Sequence, residues 1–223
     1  MIVSFSGIDG AGKSTQVCEL QFWLRQCGLR SKLVTFWDDV VSFSGFREFM
    51  SGLVFRGDRG VGSPEKPVNR RDKNVTSWPV ICMRFFLYWM DALSLCLKVR
   101  GMTRKDTDIV IFDRYIYDEL ANLPLNNGLA RSFARLLLKM VPKPDIAYVI
   151  DADPAEARAR KPEYPLGFLR SNREAYIRVA QLAGNITIIG PTSVELTQTK
   201  IRQKLLQALS RPKVNDVELS VLS

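Results

Sequence analysis

The residues with the clearest chemical meaning form a glycine-rich loop near the start of the chain, directly after an apolar run at residues 2–5. The segment reads Gly7-Ile8-Asp9-Gly10-Ala11-Gly12-Lys13-Ser14-Thr15 and matches G-x-x-x-x-G-K-[ST], a loop that wraps nucleotide triphosphates. Glycines let successive backbone N–H groups turn toward phosphate oxygens, and a helix that begins near Lys13 points its positive dipole end at the same anion. We therefore predict a nucleotide site in which Lys13 reaches the β- and γ-phosphates and Ser14 ligates Mg²⁺.

A second group of chemical residues follows a predicted strand at residues 109–112, which delivers Asp113-Arg114-Tyr115. Open α/β sheets place ligands at the carboxyl ends of their strands. There Asp113 can hold the Mg²⁺ shell opposite Ser14, and the planar fork of Arg114 can grip a phosphate. An ordinary surface salt bridge is the alternative interpretation of the Asp-Arg pair, but the preceding apolar strand favours a site.

Apolar, β-branched runs alternate with helical patterns along the chain, which favours a parallel sheet covered by helices on both faces. Predicted strands cover residues 2–6, 31–36, 109–112, 146–150 and 186–189. Predicted helices cover residues 13–27, 80–99, 129–140, 154–159, 166–182 and 194–210. The predicted fold class is therefore α/β, a three-layer P-loop NTPase-type fold with a central, mainly parallel five-stranded sheet flanked by helices.

The composition of the chain limits its chemistry. Its 223 residues are enough for one α/β domain, and 32 Lys and Arg residues against 23 Asp and Glu residues give a net charge of +9. A basic surface suits a phosphate-rich partner, either a nucleotide or a nucleic acid. Because the chain contains no His, His-based catalytic triads and most zinc sites are excluded.

Cysteine usage and hydropathy bear on the compartment. The cysteines lie in predicted helices without a C-x-x-C pair, which predicts buried thiols in a reducing, cytoplasmic compartment; they are Cys18, Cys27, Cys82 and Cys96. Met1 leads directly into a predicted strand, so we expect no secretory signal. Residues 79–99 are apolar enough to suggest a membrane span, but Arg84 and Asp91 interrupt them, which favours a buried helix and no membrane association.

Residues 1–210 are predicted to form a single domain, with two irregular segments. Residues 56–77 are rich in Gly, Lys and Arg and are predicted to be a long mobile loop. This loop could be a solvated excursion, a lid over an anionic substrate or a nucleic-acid contact. Residues 211–223 are predicted to be a flexible tail.

With these residues in place, the chain resembles the thymidylate kinase family of P-loop nucleoside monophosphate kinases. The resemblance rests on the loop from Gly7 to Thr15 with Asp9 inside it, on Asp113-Arg114-Tyr115, and on the segment Pro144-Asp145-Ile146-Ala147-Tyr148-Val149-Ile150-Asp151-Ala152-Asp153-Pro154. A further segment, Phe168-Leu169-Arg170-Ser171-Asn172-Arg173-Glu174-Ala175-Tyr176, resembles the helix that follows the lid in this family. The likeness extends over roughly the whole chain.

The resemblance implies phosphoryl transfer from ATP, with Mg²⁺, to a nucleoside monophosphate. It implies that Lys13 and Arg114 act on the phosphates together with cations of a short lid at residues 153–166, where Arg158, Arg160 and Lys161 are candidates. An exposed helix end is the alternative interpretation of these arginines. Asp9 would contact a sugar hydroxyl of the acceptor. A homodimer is also implied, with the helix at residues 80–99 as a candidate surface, although its apolar residues could equally be internal core.

The acceptor side departs from the family pattern. Where the family has an Arg-Glu-Pro-Gly-Gly-like turn after the second strand, this chain has Phe36-Trp37-Asp38-Asp39. On the next helix Tyr88 stands at the base-stacking position, but Ala92 replaces an arginine that reads the base, and Arg84 either compensates or forms a core salt bridge. Asn122 occupies a position where a tyrosine often helps to exclude ribose.

These departures leave three functional hypotheses. The first is a thymidylate kinase-like enzyme whose acceptor contacts include Asp9, Trp37, Asp38, Arg84, Tyr88 and Arg114. The second is a nucleoside or other metabolite kinase in which Asp38 or Asp39 accepts the proton of a hydroxyl, unless these acids only cap the following turn. The third is a nucleotide-binding regulatory or nucleic-acid-associated module without efficient transfer.

Overall fold

The computed structural model describes residues 1–41, 77–102 and 107–210. Five short strands form one sheet, in which the three central strands are runs of mainly apolar, buried residues and the two edge strands are partly exposed. The strands are β1 (Ile2–Ser6), β2 (Ser31–Thr35), β3 (Ile109–Asp113), β4 (Ile146–Ile150) and β5 (Ile186–Ile189).

The strand order is β2-β3-β1-β4-β5, and every pair is parallel. The register aligns Phe5 of β1 with Asp113 of β3, and Asp113 with Thr35 of β2. The loops that leave these three strands therefore emerge side by side at one edge of the sheet. Such an edge, beyond the carboxyl ends of parallel strands, is where α/β proteins bind ligands.

Seven α-helices and one π-helical turn flank the sheet in the described part of the chain. They are α1 (Lys13–Gln26), the π-turn (Phe36–Val40), α2 (Trp78–Gly101), α3 (Ile116–Leu120), α4 (Gly128–Met140), α5 (Pro154–Arg160), α6 (Leu166–Ala183) and α7 (Val194–Leu209). Helix α1 packs with α7, whereas α2, α3, α4 and α6 pack among themselves. The predicted α/β fold with a five-stranded parallel sheet flanked by helices is confirmed.

Helix α2 is a core helix with one exposed side. By length and composition it is the one helix in the described ranges that could cross a bilayer, but half of its most apolar stretch is buried within the protein. Arg84 and Asp91 are buried on it as well, whereas Trp78, Phe86 and Leu97 are exposed. The helix therefore supplies both internal core and an apolar surface.

Three local expectations need correction. Strand β2 ends at Thr35, one residue early, because Phe36 opens the π-turn, and the short helix α3 was not predicted. The cysteines are not buried: Cys18, Cys27 and Cys82 are exposed, and Cys96 is half-buried with its thiol donating to the Met140 carbonyl. The predictions for residues 56–76 and 211–223 lie outside the described residues.

Candidate active site

The glycine-rich loop joins β1 to α1 and turns on left-handed backbone conformations. Gly7, Gly10 and Gly12 have φ values of 144°, 84° and 87°, which residues with a side chain adopt only with strain. Gly12 is the N-cap of α1, so the first backbone N–H groups of that helix face the loop. The chain thus presents a helix N-terminus and a turn of backbone amides, an arrangement suited to an anion.

Lys13 lies inside the loop and does not face solvent. Its side chain is buried, and its Nζ donates hydrogen bonds to the carbonyl oxygens of Gly7 (2.7 Å) and Ile8 (2.8 Å). A buried ammonium must be paired with acceptors, and these loop carbonyls supply them. Lys13 is therefore held at the centre of the turn that it was predicted to serve.

Two of the glycines also make room for neighbouring elements. A Cβ at Gly7 would lie 2.3 Å from the Ile150 carbonyl at the end of β4, and one at Gly10 would lie 2.2 Å from the Ala157 carbonyl in α5. Both contacts are too close for any side chain. The loop is consequently wedged between β4 and α5, and Arg158, which follows Ala157, starts next to it.

Arg114 connects the second predicted group to the loop. It is the only non-glycine residue with a positive φ, 72°, in the described parts of the chain. Its guanidinium bonds to Asp9 (Nη2 to Oδ1, 2.5 Å) and to Asp118 (Nη1 to Oδ1, 3.1 Å). Burial alone would lower the pKa of Arg114, but the two carboxylates outweigh it and raise that pKa above its ordinary value, so the group stays charged.

Asp113 has the environment of a carboxylate that benefits from a cation. Burial raises its pKa above the ordinary 3.8, although the charges of Arg114, Lys13 and Lys161 act in the opposite direction. Ser14 at the start of α1 is exposed. A carboxylate and a hydroxyl are hard oxygen ligands that fit Mg²⁺, which takes one or two protein ligands together with phosphate oxygens and water. The described residues contain no cluster of three or more His, Cys, Asp or Glu side chains that could hold a metal ion.

Comparisons with known proteins agree with this geometry. The chain is 25% identical over 214 residues to a probable thymidylate kinase of Methanosphaera stadtmanae, covering 94% of this chain and 99% of that protein. It is 26% identical over 229 residues to a thymidylate kinase of Prochlorococcus marinus, covering 95% and 98%. The chain is thus similar in sequence to thymidylate kinases over more than nine tenths of its length. The solved structure of thymidylate kinase from Candida albicans shares the fold, with a TM-score of 0.63 at 17% identity over 92% of this chain and 91% of that one. No protein-family model matches the chain.

The lid that the thymidylate kinase family leads us to expect lies between α5 and α6, where the chain forms a short turn at residues 161–165. Arg158 is half-buried, and its Nε donates to the Tyr164 carbonyl at 3.1 Å, so it braces this turn. Arg160 is exposed and bonds to Glu156 one turn earlier. Lys161 pairs with the buried Glu163 at 3.3 Å. The catalytic roles of Arg158 and Arg160 stay predictions, and Lys161 is the lid cation whose charge acts on Asp113.

The acceptor-side residues of α2 meet α3 instead of solvent. Arg84 and Tyr88 are both buried, and Arg84 donates to the Asn122 carbonyl at 3.1 Å. The Asn122 side chain in turn donates to the Asp118 carbonyl at 2.9 Å, and Asn172 of α6 donates to the Ala121 carbonyl at 3.1 Å. Arg84 is thus linked to Arg114 through α3 in a polar network. From the sequence, two roles were open for Arg84: replacement of the missing base-reading arginine, or a core salt bridge.

The two acids after β2 have different environments. Asp39 accepts a hydrogen bond from the Thr35 backbone N–H at 2.9 Å and lies 3.8 Å from Lys98, so it caps the π-turn. Asp38 is exposed. Trp37 is half-buried and packs edge-on against Phe36, with ring centroids 5.7 Å apart. Capping therefore accounts for Asp39, and Asp38 alone is left as a candidate base.

One buried acid of this region is absent from the predicted site. Asp118 of α3 accepts hydrogen bonds from Arg114, Ser6 and Tyr176, which come from three other parts of the chain. Its spacing of four residues from Arg114 is a helical ion-pair spacing and could have pointed to it. The partnership with Ser6 and Tyr176 has no local signal in the sequence.

Proposed function

We propose that this protein is an ATP-dependent, Mg²⁺-dependent phosphotransferase that transfers the γ-phosphoryl group of ATP to a nucleoside monophosphate, with dTMP as the first acceptor to test. The observation that carries the proposal is the 2.5 Å contact between Arg114 and Asp9. It joins the arginine after β3 directly to the glycine-rich loop. One guanidinium therefore lies where the phosphates of a donor and of an acceptor would meet.

The proposed role of each residue in this transfer follows from its position. Backbone amides of the loop and the N-terminus of α1 would hold the β- and γ-phosphates, with Lys13 moving its hydrogen bonds from loop carbonyls to phosphate oxygens. Arg114 would neutralise charge on the transferred group, and Arg158, Arg160 and Lys161 would approach from the lid side. Asp9 would orient the acceptor sugar. Catalysis of this kind rests on positioning and charge neutralisation.

Ser14 and Asp113 would hold the Mg²⁺ ion. A bound ion would supply positive charge that offsets the negative charge of the phosphates during transfer. The raised pKa of Asp113 supports this assignment, because a half-buried carboxylate gains from a cation that replaces lost hydration.

The test is ADP release with ATP and Mg²⁺ across a panel of nucleoside monophosphates and the matching nucleosides. We expect release with a pyrimidine deoxynucleoside monophosphate and none with nucleosides. Release only with nucleosides would replace this proposal by the second one below. Binding of ATP without release for any acceptor would indicate a regulatory module instead.

A second candidate, transfer to the hydroxyl of a nucleoside or another metabolite, is favoured by Asp38. This exposed carboxylate follows β2 by three residues, and the register places Thr35 of β2 beside Asp113. A carboxylate there could accept the proton of a hydroxyl. On this hypothesis Asp38→Asn lowers kcat by about 10², whereas Asp39→Asn, whose amide oxygen can still accept from the Thr35 N–H, does not. Near-normal turnover in Asp38→Asn rejects the base role.

We further propose that the enzyme works in the cytoplasm and forms a homodimer through the exposed side of α2. The support for the dimer is the set of large apolar side chains on that side, which are Trp78, Phe86, Trp89 and Leu97. Apolar patches of this kind commonly mark protein interfaces. Nucleic-acid binding is set aside in favour of a small-molecule nucleotide, since Lys13 and Arg84 are buried and Arg114 is half-buried, so that these cations do not form a surface stripe.

A further inference from the structure

The carboxylate of Asp118 is buried among four donors from three places in the fold. Its Oδ2 accepts from the Ser6 hydroxyl at 2.6 Å and from the Tyr115 backbone N–H at 3.1 Å. Its Oδ1 accepts from Arg114 Nη1 at 3.1 Å and from the Tyr176 hydroxyl at 2.8 Å. The side chain is 1% exposed, and burial keeps the pKa of Tyr176 well above its ordinary value, so that this hydroxyl remains a donor.

Only a carboxylate satisfies this set of donors. Each of its oxygens faces one hydroxyl, which can rotate, and one N–H group, which can only donate. An amide in the same place has a single oxygen, so whichever way it is turned, either the Tyr115 N–H or the Arg114 N–H faces an NH₂ group. A buried donor without an acceptor is costly, and the chemistry of the position therefore demands the acid.

Two hydrogen bonds therefore fix the guanidinium of Arg114. Asp118 holds Nη1 and Asp9 holds Nη2, while the backbone of Arg114 is in the left-handed region. A guanidinium has five N–H groups, so three remain beyond these two bonds among the contacts of the described residues. Two anchors fix both the position and the plane of the group, and the remaining donors suit a bidentate contact with phosphate.

Tyr176 adds a connection to the lid. It lies on α6, the helix that directly follows the lid turn, and α6 is also tied to the end of β4 by Arg173, whose guanidinium bonds to both oxygens of Asp151 at 2.6 and 2.7 Å. The Tyr176 hydroxyl thus connects α6 to Asp118 by a hydrogen bond. Because Asp118 also bonds to Arg114, the helix is connected to that arginine as well.

We propose that Asp118, held by Ser6 and Tyr176, is a positioning residue that orients the Arg114 guanidinium for phosphate and couples that orientation to the helix after the lid. This inference rests on the proposed phosphotransferase function for its kinetic consequence. Asp118 touches neither substrate; it acts through Arg114.

The decisive variant is Tyr176→Phe, which removes one buried hydroxyl and keeps the ring. Its matched control is Tyr148→Phe, because Tyr148 is also a buried tyrosine, and its hydroxyl donates to the Ile201 carbonyl at 3.2 Å, away from Arg114. We expect Tyr176→Phe to lower kcat about 10-fold while KM for ATP stays within about twofold, since a small misplacement of a catalytic group costs up to about 10²-fold. Tyr148→Phe should leave kcat unchanged.

A second measurement does not depend on the acceptor. In protein labelled with ¹⁵N-arginine, the Arg114 Nη1–H signal, assigned with Arg114→Lys, should be protected from hydrogen exchange in the wild type, because Nη1 donates to Asp118. Asp118→Asn should lose at least about tenfold of that protection and about 10² in kcat. If no acceptor is turned over by the wild type, the proposed function fails, but the exchange measurement still decides the positioning role.

The inference is overturned if Asp118→Asn retains both kcat and Arg114 protection. It is overturned equally if Tyr176→Phe and Tyr148→Phe change kcat, KM and the thermal midpoint alike, because the network is then only structural. Should Asp118→Asn fail to fold, Tyr176→Phe alone carries the decision, by kcat and by the exchange rate of the Arg114 signal.

Discussion

At the scale of single residues, the site is organised by alternating charges. Lys13 and Arg114 lie among Asp9, Asp113 and Asp118, and each cation has protein partners. Paired charges can be buried, whereas isolated ones cannot. The site therefore holds its cations in place before any phosphate arrives, and single substitutions should affect the charge balance as well as the chemistry.

Lys13→Ala should lower kcat by about 10²–10³, the usual cost of removing one donor that stabilises transferred charge. Because the lysine also bonds to the Gly7 and Ile8 carbonyls, the variant should unfold a few degrees lower than the wild type. Steady-state ADP release and a thermal melt check the two effects. Unchanged turnover would remove Lys13 from the catalytic machinery.

Asp113→Asn should lower kcat at saturating ATP by about 10² and raise the Mg²⁺ concentration needed for half-maximal rate. Burial raises the pKa of Asp113 in the folded protein. Because the Asp113 carboxyl has a raised pKa in the folded protein, its protonation stabilises the folded state. This stabilisation is lost as pH rises above the unfolded pKa of 3.8. The uncharged variant should consequently melt slightly higher at pH 7, by about 1–3 °C.

The pH profile gives a second check on Asp113. In the wild type, protons should compete with Mg²⁺ as pH falls through the raised pKa, so the apparent Mg²⁺ affinity should weaken at a higher pH than an ordinary carboxylate would cause. Asp113→Asn should lose this dependence. A profile identical to that of the variant would show that Asp113 does not contribute to the metal site.

At the scale of elements, the glycine-rich loop and α5 are in direct contact. The Ala157 carbonyl occupies the space in which a side chain at Gly10 would lie. Because α5 leads into the lid turn and Arg158 braces that turn, the spacing between loop and helix also sets where the lid begins. Gly10 is therefore needed for its size as well as for its φ.

Gly10→Ala tests this contact against Gly28→Ala. Both glycines have positive φ values, 84° and 73°, but a Cβ at Gly28 meets nothing within 4 Å. Gly28→Ala should cost about 1 kcal/mol of stability from backbone strain alone and leave kcat intact. Gly10→Ala should cost more and lower kcat by about 10², because α5 must move. Urea unfolding and ADP release distinguish the two, and equal effects would contradict the role of the contact.

The elements were largely predictable, whereas their cross-connections were not. Strands such as β1 and β4 are continuous apolar runs, and the loop has a fixed residue pattern, so local sequence specifies both. The π-turn depends on Asp39 accepting from Thr35, and α3 depends on Tyr176 and Ser6 closing around Asp118. The Ser6 and Tyr176 contacts join residues far apart in the chain, and for them sequence spacing carries no signal, whereas Thr35 and Asp39 are only four residues apart.

At the scale of the whole molecule, the outer side of α2 is an apolar surface that a single copy of the chain leaves exposed. Phe86, Trp89 and Leu97 are 59%, 42% and 69% exposed, while the opposite side of the helix packs in the core. The sequence allowed α2 to be either a core helix or a docking surface, and its buried and exposed sides are compatible with both roles. Two copies of the chain would bury these side chains together.

Phe86→Glu should convert a dimer to a monomer, because a charge at an apolar contact is costly to bury. Leu206→Glu is the control, since Leu206 is 52% exposed on α7, in the other helical layer. Sedimentation velocity should show a dimer for the wild type and for Leu206→Glu. A wild-type monomer at micromolar concentration would reject the dimer.

The hydrogen bonds of the Lys13 ammonium have a consequence for how quickly a nucleotide is bound. Its ammonium already closes the turn by bonding to the loop's own carbonyls, so the binding surface is preformed and little backbone entropy remains to be lost when a ligand docks. The ligand has only to exchange one set of oxygens for another around a single nitrogen. Capture should therefore approach the rate of an encounter with a rigid body, and the slow events of the cycle should lie elsewhere, in the helices that close around the acceptor.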